Sequence, residues 1–199
     1  MSPGADPQLK SVFTGIGIPR DKPFVPDRFQ TEAVAVMAES DCLVTAPTGA
    51  GKTWIAVQTI RRTFERGGRA WYASPLKALT NAKLMEFSEI FGPENVGILT
   101  GDRKESPDAP IIVGTTEILR NQLYDAMHQG VSLNTDLVVL DEAHFLGDEE
   151  RGVVWEETMI YLPPRIPLLM LSATVGNAGA IADWLTAIRG RPCRVVAET

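Results

Sequence analysis

Ala46-Pro47-Thr48-Gly49-Ala50-Gly51-Lys52-Thr53 is the stretch that decides the fold. The apolar run Cys42-Leu43-Val44-Thr45 precedes it, and Ile55, Ala56, Ile60 and Phe64 follow at roughly helical spacing. It is therefore a turn between a strand and an amphipathic helix. Its glycines let the backbone bend until several N–H groups face one anion. The helix start adds the positive end of its dipole. Thr48, Gly49, Ala50 and Gly51 thus read as a phosphate cradle. Lys52 has the reach to meet β- and γ-phosphates, and the Thr53 hydroxyl suits magnesium. The general pattern opens on Gly where this chain has Ala46. A plain glycine-rich turn is the alternative reading, and the second half of the site argues against it.

That second half is Asp136-Leu137-Val138-Val139-Leu140, a short apolar run that reads as a buried strand of a parallel sheet. It leads into Asp141-Glu142-Ala143-His144. An acidic pair at the carboxyl end of such a strand is where this architecture places a metal carboxylate and a base. Asp141 is assigned to magnesium. Glu142 is assigned to the water that attacks the γ-phosphate. Asp148, Glu149 and Glu150 follow closely, so a solvated acidic loop is the competing reading of this stretch alone. His144 has no partner at metal-ligand spacing. It reads either as a hydrogen-bonded structural histidine or as a coupling residue that responds when the γ-phosphate leaves. His128 reads as a surface residue.

The chain has 199 residues, enough for one domain with a single core. A hydrophobic share of 44% and a charged share of 22% are those of an ordinary globular protein. The formal charge of −6 means that any nucleic-acid groove is a local feature. The two cysteines, Cys42 and Cys193, show neither metal nor redox spacing. Two buried free thiols in a reducing, cytoplasmic setting is the simplest expectation. No secretory h-region and no apolar run of membrane-spanning length is apparent, so no membrane partner is expected.

Residues 1–27 are rich in Pro and Gly and read as an irregular lead-in. A helix is expected over 28–39. Apolar runs predict strands over 42–46, 69–74, 95–99, 111–115, 136–140, 167–172 and 193–197. Helical patterns cover 51–65, 76–91, 116–128, 152–162 and 177–188, with Gly67-Gly68 ending the first of these. This alternation implies an α/β fold, a mostly parallel sheet with helices on both faces. Arg61-Arg62 and the group Arg189, Arg191 and Arg194 read as solvated faces. Trp54, Trp71, Trp155 and Trp184 read as packing residues.

The series of motifs resembles the first RecA-like, P-loop domain of a superfamily 2 helicase of the DExH-box type. Phe24 to Gln30 looks like the Q-motif, Ala46 to Thr53 like motif I, and Ser74 to Asn81 like motif Ia. Thr100-Gly101-Asp102 resembles the short glycine motif, and Thr115 to Asn121 motif Ib. Asp141 to His144 looks like motif II and Ser172-Ala173-Thr174 like motif III. Thr115 to Asn121 and Glu150 to Glu157 narrow the resemblance to the superkiller branch, whose RNA helicases feed exosome-type degradation. Ala82-Lys83 departs from the Gln-Lys that family members often carry.

The resemblance implies that residues 28–199 form the ATP-binding half of an ATP-dependent RNA helicase, moving 3′ to 5′ with ATP and Mg2+. A second RecA-like domain, in the same full-length chain, is the implied partner; without it the chain is expected to be a nearly inactive ATP hydrolase. Phe24 would stack on adenine and the Gln30 amide would pair with its edge. Pro75, Lys77, Gly101, Thr115, Thr116 and Arg120 would meet the phosphates of single-stranded RNA or DNA without reading sequence. Ser74-Pro75 and Thr115-Thr116 also suit plain helix N-caps. Ser172 and Thr174 would couple the two faces. A DNA helicase or translocase, or a stand-alone nucleotide-dependent nucleic-acid-binding module, are the alternatives.

Overall fold

The computed structural model describes residues 24–144 and 152–198. Most of the expected lead-in and the segment Asp148 to Arg151 lie outside these residues. Eight strands form one sheet: β1 Asp41–Thr45, β2 Ala70–Ser74, β3 Val96–Leu99, β4 Lys104–Glu105, β5 Ile111–Thr115, β6 Leu137–Leu140, β7 Leu168–Ser172 and β8 Cys193–Ala197. Their order is β4-β3-β5-β2-β6-β7-β1-β8. Every pairing is parallel except β3 with β4. The helices are α1 Arg28–Val36, α2 Lys52–Glu65, α3 Lys77–Phe91, α4 Thr116–His128, α5 Gly152–Tyr161 and α6 Ala178–Arg189.

Parallel strands need helical crossovers, and the crossovers cover both faces. Strands β1, β2, β5, β6 and β7 are therefore buried at every position. Alternate residues feed opposite cores. Cys42, Val44, Tyr72, Val113 and Leu171 meet α1, α2 and α3 on one face, through residues such as Val34, Ile60 and Phe87. Leu43, Trp71, Val138 and Met170 meet α4, α5 and α6 on the other, through Leu123, Trp155 and Leu185. Trp71 packs so tightly over β5 that a Cβ on Gly114 would lie 2.4 Å from its ring.

Turn chemistry sets the ends. Past α2 the Gly68 N–H donates to the Thr63 carbonyl and the Gly67 N–H to that of Phe64, with Gly67 at φ 76°. This is the paired hydrogen-bond closure that a left-handed glycine permits. The sequence patterns locate these elements within a residue or two, apart from α1, which stops at Val36 where the helical pattern ran to 39. They miss β4 and a short 3-10 turn at Pro93–Asn95.

The expectation of a solvated arginine face is overturned at Arg189. Arg194 is exposed, but Arg189 is not on a solvated face: its side chain is buried against Asp41, itself fully buried in β1. Arg189 Nε donates to Asp41 Oδ2 at 2.7 Å, and its terminal nitrogens donate to the carbonyls of Leu162 and Ile166 at 2.8 and 2.7 Å. Asp41 Oδ1 accepts the Leu168 N–H at 2.9 Å and lies 2.9 Å from Arg191 Nε. The ion pair thus ties β1, the start of β7, and the end of α6 together at the amino edge of the sheet.

Both cysteines are free, Cys42 buried and Cys193 half-buried on β8. They sit in adjacent strands, but Cys193 pairs with Asp41 rather than Cys42, so the thiols face opposite cores. Burial pushes both thiols up to about 12. In the folded chain neither is expected to react with a thiol reagent at pH 8, and both are expected to react on unfolding; a rapid stoichiometric reaction of the native chain would contradict this placement.

Candidate nucleotide site and nucleic-acid face

The cradle leaves the carboxyl end of β1 and the acidic pair leaves that of β6, with β7 between them. Gly49 and Gly51 hold φ of 88° and 78°, which admit the turn at no steric cost. Gly51 has a second constraint: a Cβ there would lie 2.4 Å from Gln30 Nε2. Lys52 begins α2 and donates to the carbonyls of Ala46 and Pro47 at 2.7 and 2.8 Å. Thr48 and Gly49 are exposed and Ala50 half-buried.

Gln30 lies beneath the cradle. Its Oε1 accepts the Asp27 N–H at 2.8 Å, and its Nε2 donates to the carbonyls of Ala50 and Gly51 at 3.3 and 3.1 Å. Both amide protons are thereby taken. Pairing with an adenine edge requires the amide to exchange one of these carbonyls for the base. Phe24 is exposed, with its ring 5.9 Å from that of Trp54, so Trp54 is half of an aromatic pair beside the start of α2.

On the acidic side, Asp141 Oδ1 accepts the Glu142 N–H at 2.9 Å and Oδ2 accepts a short hydrogen bond from the Tyr72 hydroxyl. Burial, then the charge of Asp141, holds that phenol well above its usual range. Glu142 sits at φ 58°, the left-handed region that non-glycine residues rarely occupy. Such strain is concentrated at functional positions. His144 Nδ1 lies 3.3 Å from Glu142 Oε2, and the Ala173 N–H donates to the same nitrogen at 3.5 Å. One nitrogen cannot donate to the first and accept from the second at once. His144 therefore stands at a junction between the acidic pair and the Ser172-Ala173-Thr174 turn. Ser172 is buried, its hydroxyl without a partner among the described residues, and Thr174 is exposed.

Three residues that the sequence reading did not assign, Tyr72, Lys83 and Glu86, stand beside the two halves. Lys83 Nζ, on α3, donates to the Thr53 hydroxyl at 2.9 Å and to Glu86 Oε2 at 2.7 Å. The charge of Glu86 contributes to the rise of Tyr72, which holds Asp141. Thr53 is thus held from α3 by Lys83 and Asp141 from β2 by Tyr72. Their oxygens are of the hard type that magnesium takes, and a cationic ammonium already rests on one of them. Among the described residues no cluster of three or more His, Cys, Asp or Glu forms a separate metal site.

The second face begins where β2 and β5 run into α3 and α4. Ser74 and Thr115 are register neighbours. The N-cap reading holds in position for Thr115 but not for Ser74-Pro75. The N-caps are Leu76 and Thr115, and neither makes a side-chain cap bond. The hydroxyls of Ser74 and Thr116 are buried and have no hydrogen-bond partner among the described residues. The first-turn N–H groups of both helices therefore have no capping side chain. Exposed Gly101 and half-buried Pro75 flank these starts. Lys77 pairs with Asp102 at 3.0 Å and Arg103 donates to Asn81 at 2.9 Å, which fastens the glycine-motif turn to α3. Lys77 and Thr100 hold the Asp102 carboxyl below its usual range. Arg120 pairs with Glu157 at 2.8 Å, bracing α4 against α5.

A family model described as DEAD/DEAH box helicase matches residues 27–181. The chain is 46% identical over 170 residues to the DExH-box ATP-dependent RNA helicase DExH15 of Arabidopsis thaliana, covering 83% of this chain and 14% of that protein. It is 43% identical over 178 residues to the ATP-dependent RNA helicase mtr4 of Schizosaccharomyces pombe, covering 89% and 16%. The solved helicase domain of Pyrococcus furiosus Hef is similar with a TM-score of 0.61 at 27% identity, over 85% of this chain and 38% of that one. The chain spans less than a fifth of the length of these curated relatives. With the cradle and the acidic pair both at carboxyl ends of strands of one sheet, and with the match running through both, the chain belongs to the DEAD/DEAH box helicase family.

Proposed function

We propose that this chain is the ATP-binding first motor domain of an RNA helicase that moves 3′ to 5′ along single strands. The observation that carries the proposal is the shared sheet edge: a triphosphate cradle after β1, and uncapped helix starts with buried, unpartnered hydroxyls after β2 and β5. Both are built for phosphate oxygens, one for a nucleotide and one for a sugar–phosphate backbone.

In this reading the cradle N–H groups bind the β-phosphate and Lys52 leaves the Ala46 and Pro47 carbonyls for the phosphates. Thr53 and Asp141 would hold magnesium, which neutralises phosphate charge when bound. Glu142 orients the attacking water and takes its proton. His144 exchanges its Glu142 contact for the Ala173 N–H as the charge beside Glu142 changes, and Ser172 lies in the same turn. Pro75, Lys77, Gly101, Thr115 and Thr116 contact the strand, while Arg120 contributes through the placement of α4. Phe24 and Gln30 contact the base. A second RecA-like domain supplies further groups for hydrolysis, because phosphoryl transfer gains about 10³- to 10⁵-fold from an arginine delivered in this way.

The test is phosphate release by the purified chain with and without single-stranded RNA. Weak ATP binding with very slow turnover that RNA scarcely raises is expected. Robust RNA-stimulated turnover would contradict the half-motor reading. The DNA alternative is separated by competition between matched RNA and DNA strands for a protein carrying both motor domains; preference for RNA requires contacts to the 2′-hydroxyl.

A further inference from the structure

Lys83 is the residue whose surroundings the motif assignments leave unexplained. An i,i+3 partnership with Glu86 alone would leave a lysine at the solvated rim of a helix. Instead its side chain is largely buried, and its ammonium reaches from α3 to a hydroxyl on α2. That hydroxyl is the one assigned to the cation. An ammonium is a compact, strongly hydrated point charge. Its loss of water is offset here by the Thr53 oxygen and the Glu86 carboxylate.

We propose that Lys83 is a positioning residue that holds the cation place on Thr53 and yields it to magnesium, with Glu86 drawing the ammonium aside. This rests on the reading of Thr53 as a magnesium ligand. A divalent ion on the Thr53 oxygen would sit a few ångströms from the ammonium, and like charges at that range repel strongly away from bulk water. Glu86 already accepts the same ammonium at 2.7 Å, so displacement costs one hydrogen bond rather than all of them. The other proposed ligand is treated alike: the Tyr72 hydroxyl holds Asp141 Oδ2. The chain's own donors therefore keep both oxygens oriented, and Lys83 sets how much magnesium is needed to claim them.

The experiment titrates MgCl2 into the 199-residue chain with a fluorescent ADP analogue, reading nucleotide affinity rather than turnover. Lys83→Met is expected to lower the half-saturating magnesium concentration about 3- to 10-fold at low salt, a like-charge effect discounted for partial solvent access. Affinity in excess EDTA stays within about twofold, since no phosphate contact is removed. Lys83→Arg returns the magnesium dependence toward that of the parent. Glu86→Gln moves it the other way, because the displaced ammonium loses its acceptor. The Lys83→Met shift contracts as salt is raised. An unchanged magnesium midpoint in Lys83→Met and Glu86→Gln would overturn the proposal. So would loss of nucleotide binding with and without metal, which would make Lys83 a phosphate ligand. Thr53→Ala separates the underlying reading: if it leaves magnesium dependence intact, Thr53 is not a ligand and the role of Lys83 falls with it. Circular dichroism confirms that each variant is folded, and Glu86→Gln carries the test should Lys83→Met not fold.

Discussion

Asp41→Ala is expected to lower the thermal midpoint of the chain by about 6–20 °C, the equivalent of about 3–5 kcal/mol for breaking a buried pair in a domain of this size. The reason is what remains. Arg189 would keep its charge inside the protein with only the Leu162 and Ile166 carbonyls for company, and the Leu168 N–H would lose its acceptor. A loss of this size is a large share of the roughly 5–15 kcal/mol that holds a domain together. Arg189→Met should be harmful as well, since two carbonyls lose their donors and buried Asp41 is left with Arg191 and the Leu168 N–H alone. Removing both charges together, as Asp41→Leu with Arg189→Met, should cost less than the sum of the single changes, because neither of the two most buried ions is then left without the other, and the half-buried Arg191 has access to solvent. Thermal melts of the four proteins decide the matter. A midpoint for Asp41→Ala within about two degrees of the parent, given the scaling of midpoint with stability, would mean that the network is not holding the sheet edge.

Lys52→Ala is expected to weaken ATP binding by about 10- to 100-fold, which is the usual worth of a charge-assisted hydrogen bond to a phosphate. Stability should change far less. Among the described residues Lys52 bonds to the loop carbonyls of Ala46 and Pro47 alone, and water can replace the ammonium at exposed Pro47. Fluorescent-nucleotide titration with a parallel thermal melt separates the two effects. Equal affinity in both proteins would remove Lys52 from the phosphate site.

The fold was largely legible because fully buried parallel strands leave uninterrupted apolar runs, and the runs at Val138-Val139 and Leu169-Met170 have no polar residue to blur them. Lys104-Glu105 escaped because a two-residue exposed edge strand has no apolar face to show. Arg189 was misread for a different reason. At the end of a helix an arginine looks solvated, and its partner Asp41 lies 148 positions away. No local pattern announces that meeting. The cradle and acidic pair were legible as motifs because backbone geometry and metal chemistry restrict their residue types. Tyr72 and Lys83 were not, since each is a single polar group in an otherwise structural element, and only tertiary contact gives it a role. Glycine-rich turns speak plainly in sequence, whereas the use of Gln30 as a prop for the cradle appears only once Ala50 and Gly51 are seen above it.

The central claim is that Thr53 on α2 and Asp141 after β6 act on one magnesium–nucleotide complex. A double-mutant cycle of Thr53→Ala and Asp141→Asn measures this directly, by titrating the chain with nucleotide in magnesium and again in EDTA. Non-additivity of about 0.5–3 kcal/mol is expected with magnesium, as for residues sharing a partner, and none in EDTA. Strict additivity in both conditions, with each variant folded, would contradict a shared site.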